Sequence, residues 1–254
     1  AARAAWIAAR VPWEQSEAFL FGPVDSRGYD PALDSWPVST NDLDAVLASG
    51  NDFTPAFIAS LQETQKGFHT IEYLLFGEGR SKTADQLTDR EIGYLVAIAG
   101  EAADIAADLA ASWTTPVDGQ AAYREIFVTA GEANNTAYPS LTAAAQEILD
   151  GMIGICDEVA NGKIADPYDA HDPTLVESQF AWNSIVDFQN NMRSVQNAYD
   201  GDNPLAGTSG RGLTDFVASI DPELDARVHA EIEAAIEAIG AIPQPFRDAI
   251  TNPA

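Results

Sequence analysis

The run Gly67-Phe68-His69-Thr70-Ile71-Glu72-Tyr73-Leu74-Leu75-Phe76-Gly77 admits one regular conformation. Phe68, Ile71, Leu74 and Leu75 recur at three- and four-residue steps, the period of a helix with one buried side, and Gly77 supplies a left-handed stop without strain. In that helix His69 and Glu72 share a face, so an imidazole and a carboxylate point at one spot. The pair is either half of a metal site or a buried hydrogen bond. Zinc and iron both accept such ligands, but a site needs a third and usually a fourth group from elsewhere in the chain. The longer pattern His-Glu-x-x-His is absent.

Helical spacing governs most of the remaining chain. Residues 1 to 21 carry Trp6, Arg10, Trp13, Glu14, Glu17, Leu20 and Phe21 on one side of an amphipathic helix that Pro12 should kink. Arg10, Glu14 and Glu17 fall on adjacent turns. A surface ion pair is the plain account, but two tryptophans flank these charges, and buried carboxylates would need partners such as His69. Residues 22 to 52, rich in Gly, Pro, Asp and Ser, read as a long loop pinned by Trp36. Helix resumes at Thr54-Pro55 and again at Leu87-Thr88-Asp89, from which a long helix is expected to Trp113 with Ile92, Leu95, Val96, Ile105 and Leu109 inward. Thr114 to Gly119 breaks the pattern, so the domains are expected at 1–116 and 117–254.

Further helices are expected over 120–133 and 140–159, the latter ending at a turn at Asn161-Gly162. A helix over 174–199 carries an apolar stripe that includes Val186 and a second stripe of Asn183, Asp187, Asn190, Asn191 and Ser194. Solvated faces of so acidic a chain carry Asp and Glu, so the amide stripe reads as a hydrogen-bonded interior surface. At an offset of 124, His69 to Gly77 lies over Arg193 to Gly201, and Leu87-Thr88-Asp89 recurs as Leu213-Thr214-Asp215. The expected fold is therefore all-α, two related helical bundles from an internal repeat. A site at their interface would be walled by the Glu17, His69 and amide-rich helices. His171, in a turn-like stretch, and His229, among glutamates, carry less.

Bulk chemistry removes several classes of function. With 39 acidic and 13 basic residues the chain bears −26, which repels phosphate backbones, so nucleic acid is excluded as a partner. Cys156 stands alone among apolar neighbours and forms no internal disulfide. No apolar run is long enough to span a bilayer. The first ten residues read as mid-helix with no cap, which suggests that a leader and a first helix precede Ala1.

These residues resemble a known family. Gly67-Phe-His69-Thr-Ile-Glu72 looks like the Gly-x-His-x-x-Glu signature of the imelysin-like proteins. Trp6-Ile-Ala-Ala-Arg10-Val-Pro-Trp13-Glu14-Gln-Ser-Glu17, Asp34-Ser-Trp36-Pro37, Asn161-Gly-Lys163-Ile, Glu177-Ser178 and Asp187-Phe-Gln-Asn190-Asn191 are similar to other stretches of that family. The resemblance implies two related helical bundles and a periplasmic or outer-membrane-associated place in the bacterial envelope, with membrane attachment only through a lost leader or lipid anchor. Its first member was described as a metallopeptidase, and many relatives are associated with iron uptake.

Three functions follow: an envelope binding protein for iron or an iron-bearing ligand, a zinc metallopeptidase using the His-x-x-Glu pair, or a structural, partner-binding helical module. Binding is the first reading, because an open hydrolytic zinc site needs about three protein ligands and histidine is scarce, whereas ferric iron suits carboxylates. His69, Glu72 and Glu17 are the candidate metal ligands. Arg10, Trp13, Glu14, Asn183, Asp187 and Asn191 are the candidates to hold a bound cofactor. The cargo would be iron, another divalent or trivalent metal, haem or a chelate, with other envelope iron-uptake components as partners.

Overall fold

Fourteen α-helices, five short 3-10 helices, one π-helix and one two-stranded ribbon lie within the described residues, 1–117 and 119–251, of a computed structural model. Asp118, part of the break expected at 114–119, lies outside them. In chain order the helices are α1 (Ala2–Glu14), α2 (Pro23–Ser26), α3 (Tyr29–Asp34), α4 (Thr40–Ala48), α5 (Pro55–Ala59), α6 (Gly67–Phe76) and α7 (Asp89–Thr114). They continue as α8 (Tyr123–Val128), α9 (Leu141–Asp157), α10 (Asp166–Ala170), α11 (Ser184–Asp200), α12 (Leu213–Ile220), α13 (Pro222–Gly240) and α14 (Phe246–Ala249). The ribbon pairs β1 (Asp202–Asn203) antiparallel with β2 (Thr208–Ser209). The all-α expectation holds.

The chain divides into two compact units, residues 1–6 with 21–146, and 7–20 with 147–254. Segment 117–146 thus counts with the first unit, and 7–20 with the second. In the first unit α7 packs against α2, α3, α5, α6 and α8. Thr88 caps it, its side chain accepting from the Glu91 amide while Glu91 reaches back to Thr88, which satisfies donors a bare helix start leaves open. Its inward side differs from the expected one: Tyr94 and Ile98 are fully buried, whereas Ile92 and Val96 face solvent. The physical reason is an anchor that periodicity does not report: Tyr94 stacks on Phe53 at 4.9 Å and donates its hydroxyl to the Gln65 carbonyl, which sets the helix rotation. A second aromatic cluster joins Phe21, Trp113, Tyr123, Phe127 and Tyr138.

The stretch 22–52, expected as loop, folds as three short helices. Pro23 opens α2 from Gly22, Gly28 in the left-handed region opens α3, and Ser39 caps α4 by accepting from the Asp42 amide. Turn-forming residues there start helices too short for periodicity to reveal, and Leu33, Leu43 and Val46 bury them.

The second unit is built round α11, which packs against α12, α13 and residues 17–19. Phe188, Met192, Val195 and Tyr199 form one buried face against Met152, Ile155, Ile232 and Ile239. Asp187, Asn191 and Ser194 recur on another and are just as buried. Two expectations fail here. The helix begins at Ser184 and not near 174, because residues 176–183 form a nearly buried loop with Ser178 and Trp182 at positive φ (53° and 58°). Asn161-Gly162 is no turn, since a π-helix runs through Glu158–Ala165 and joins α9 to α10. The Leu213-Thr214-Asp215 start opens only the eight residues of α12 before Asp221-Pro222 restarts the chain as α13.

Candidate functional site

His69 lies in the first turn of α6, 2% exposed, and both of its ring nitrogens face carboxylates. Nδ1 is hydrogen-bonded to Glu72 Oε2 at 3.0 Å, as the helical spacing requires. Nε2 stands 3.0 Å from Asp34 Oδ1, delivered by the last residue of α3. Trp36 covers the ring at 6.2 Å between centroids. The approach of α3 to α6 depends on Gly67, whose φ is +72° and where a Cβ would meet the Leu33 carbonyl oxygen at 2.4 Å. Only a residue without a side chain lets Asp34 come this close to His69. Trp6 secures the same turn by donating its indole N–H to the Phe68 carbonyl at 2.9 Å.

In the second unit the charged side of α1 meets the polar face of α11 in a fully buried ionic network. Arg10 bonds Glu14, reaches Glu177 Oε1 at 2.5 Å and lies 3.7 Å from Asp187 Oδ2. Asp187 accepts from Ser178 Oγ at 2.5 Å and from Asn183 Nδ2 at 2.7 Å, while Asn191 donates to Glu14. Lys163 completes it, 2.9 Å from Glu177 Oε2, 3.7 Å from Glu17 and 3.8 Å from Glu14. Four buried carboxylates therefore share two buried cations. Burial pushes Glu14 well above the usual carboxylate range, against the downward pull of Arg10. Burial alone would lower Lys163, but Glu177, Glu17 and Glu14 outweigh it and hold the ammonium well above its ordinary value.

Of the expected site residues, the structure thus joins His69 to Glu72 in the first unit. Arg10, Glu14, Glu17, Asn183, Asp187 and Asn191 come together in the second, where the carboxylate of Glu17 faces Lys163. Trp13 is buried too, its carbonyl accepting from Ser16 Oγ at 2.6 Å. Asp34, Lys163 and Glu177 were not among the expected site residues. Lys163 had a usable signal, as one of only three lysines in the chain and set between Val159 and Ile164. It lies on the π-helix Glu158–Ala165, whose buried residues are Val159 and Lys163. His229 is not a bare surface histidine either: Nε2 lies 2.8 Å from Asp200 Oδ1 and Nδ1 3.0 Å from the Asp225 carbonyl.

Comparison with known proteins bears on the whole chain. The imelysin family model matches residues 1–254. Iron-regulated protein A of Synechococcus elongatus is 34% identical over 253 residues, covering 100% of this chain and 67% of that protein. A crystal structure from Parabacteroides distasonis ATCC 8503, provisionally named an iron-regulated protein A precursor, superposes with a TM-score of 0.86 at 32% identity. It covers 97% of this chain and 74% of its own.

Proposed function

Since this chain belongs to the imelysin family, we propose that it is an iron-related binding protein of the bacterial envelope, taking iron or a small iron-bearing ligand at His69 without cleaving peptides. The observation that carries this reading is the paired grip on the imidazole. Glu72 on Nδ1 fixes the ring's orientation and tautomer, the usual task of a carboxylate behind a metal-binding histidine, and so turns the Nε2 lone pair toward Asp34. The 3.0 Å between Nε2 and Asp34 Oδ1 is the edge of an octahedron with bonds of about 2.1 Å. One imidazole and one carboxylate suit iron as cargo, with its other positions filled by a chelate or water. In this reading Glu72 positions the ring and Asp34 is the ligand. The iron-regulated names of the two relatives support the iron association, and the envelope location rests on the family resemblance.

The test is titration of the purified protein with ferrous iron, ferric citrate, zinc and haem, with peptide cleavage assayed in parallel. Binding of an iron species should vanish in His69→Ala and Asp34→Asn, and weaken by about 10- to 100-fold in Glu72→Gln. Tight zinc binding with cleavage abolished by His69→Ala and Glu72→Gln would establish the peptidase instead. Failure of every metal and of haem to bind the folded protein would leave a partner-binding module.

A further inference from the structure

A cavity of about 440 Å³ opens in the second unit beside the junction of α1 and α11, lined among others by Gln15, Phe19, Asn197, Asp202 and Leu205. It involves none of the residues near His69. Its polar wall has a direction fixed by one donor. Arg193 can only donate, and its Nη1 lies 3.4 Å from Asn190 Oδ1, so that amide shows its oxygen. The same oxygen accepts from Gln15 Nε2 at 2.8 Å, which turns the Gln15 oxygen toward Asn197 Nδ2 at 3.2 Å. The relay ends with Asn197, whose carbonyl oxygen is left to accept. Asp202, an exposed residue of the same lining, adds an acceptor with a negative charge. The apolar part of the lining includes the half-buried ring of Phe19 and the side chain of Leu205, 54% exposed in the turn between β1 and β2.

We propose that this cavity binds a small organic ammonium ion: a protonated amine donating to Asn197 Oδ1 and the Asp202 carboxylate, with an apolar body against Phe19 and Leu205. The ionised acceptor discriminates against anions by repulsion, and the acceptors disfavour apolar isosteres that leave them unmet; Asn203, whose carbonyl oxygen accepts from the Ala206 amide, adds a side-chain donor to the same lining. The chain's charge of −26 raises the local concentration of cations around the mouth. The size falls in the ordinary range for small-molecule pockets. This inference stands independently of the His69 reading, because the cavity shares no residue with it.

The experiment is a titration of the whole protein with benzylammonium, benzyl alcohol and benzoate, followed by two-dimensional NMR of the side-chain amides and by calorimetry at moderate salt. Benzylammonium should shift the Gln15, Asn190 and Asn197 side-chain amides in a saturable way, with benzyl alcohol at least about tenfold weaker and benzoate silent. Asp202→Asn and Leu205→Ser, both at exposed positions, should each weaken benzylammonium by about fivefold or more while the fold is unchanged. Shifts scattered over the acidic surface, equal affinity for the alcohol, or unaltered affinity in both variants would overturn the assignment.

Discussion

A methyl group at Gly67 would collide with the Leu33 carbonyl in a backbone conformation that only glycine takes easily, so this residue joins the geometry of α3 to that of His69. Gly67→Ala is expected to cost about 1–3 kcal/mol of stability in denaturant titration. It should also weaken iron binding more than Glu72→Gln does, because it displaces Asp34 as well as straining the helix start. Lys163 makes a second residue-scale case. Lys163→Met leaves Glu177, Glu17 and Glu14 buried with Arg10 as their remaining cation, and breaking a buried pair from one side costs about 3–5 kcal/mol. Pairing it with Glu177→Gln should restore part of the loss, and a double-mutant cycle measures how much; strict additivity would deny the coupling. What the sequence reveals at this scale follows from distance along the chain. His69 and Glu72 are neighbours on one helix, so their contact is written in the spacing. Asp34 reaches the same ring only because two separate helices meet at a glycine, and no period in the sequence reports that meeting.

At the scale of elements, α11 shows how far pattern reading goes. The mostly uncharged stripe of Asn183, Asp187, Asn190, Asn191 and Ser194 is an interior surface, as its amides suggest, because each residue is buried against hydrogen-bonding partners. The start of that helix escapes the pattern, since Val176 and Phe180 are apolar at helical spacing yet lie in a loop held by charge contacts at Glu177 and Ser178. Tertiary bonds there override local preference, and the two left-handed residues, costing about 1–3 kcal/mol each, mark where. The junction of α11, α12 and α13 yields a pH prediction. His229 faces two groups that can only accept, Asp200 and the Asp225 carbonyl, while the Asp225 carboxylate takes hydroxyls from Tyr199 and Thr214 at 2.8 Å each. The Asp200 bond lifts the imidazole above its ordinary value, burial opposing it. Burial, with the Asp225 bond, holds the Tyr199 phenol up at about 12, so it stays a donor throughout. The raised histidine contributes stability that is complete below about pH 6.5 and is lost as pH rises through its higher folded value. Denaturation midpoints followed from pH 5 to 8.5 should fall across that window in the native chain, and His229→Gln should remove this component; an unchanged slope would refute the assignment.

For the whole molecule, the consequential fact is that one helix serves two units. Trp6 anchors the turn before His69, while Arg10, Glu14 and Glu17 complete the ionic network of residues 147–254. A fragment of residues 147–254 alone would strand Glu177 and Asp187 without Arg10. It is expected to lack fixed near-ultraviolet circular dichroism and to bind a hydrophobic dye, and a peptide of residues 1–22 added in trans should restore order. A natively packed fragment would show that the network is dispensable. The internal repeat remains a proposal at this scale. Both α6 and α11 end on a glycine at positive φ, Gly77 and Gly201, and superposing the two helical sets so that His69 falls on Arg193 is its test. The division of α1 also orders events in time. Arg10 and Glu177 are separated by 167 residues, and at roughly 5–20 residues per second a ribosome delivers the second about ten to thirty seconds after the first. Residues 21–146 can close during that interval, whereas residues 7–20 must wait, charged and unburied, for partners not yet made. A segment made well before its partners is thus among the last to find its place, and closing so long a loop is the step expected to set the pace of folding in the second unit.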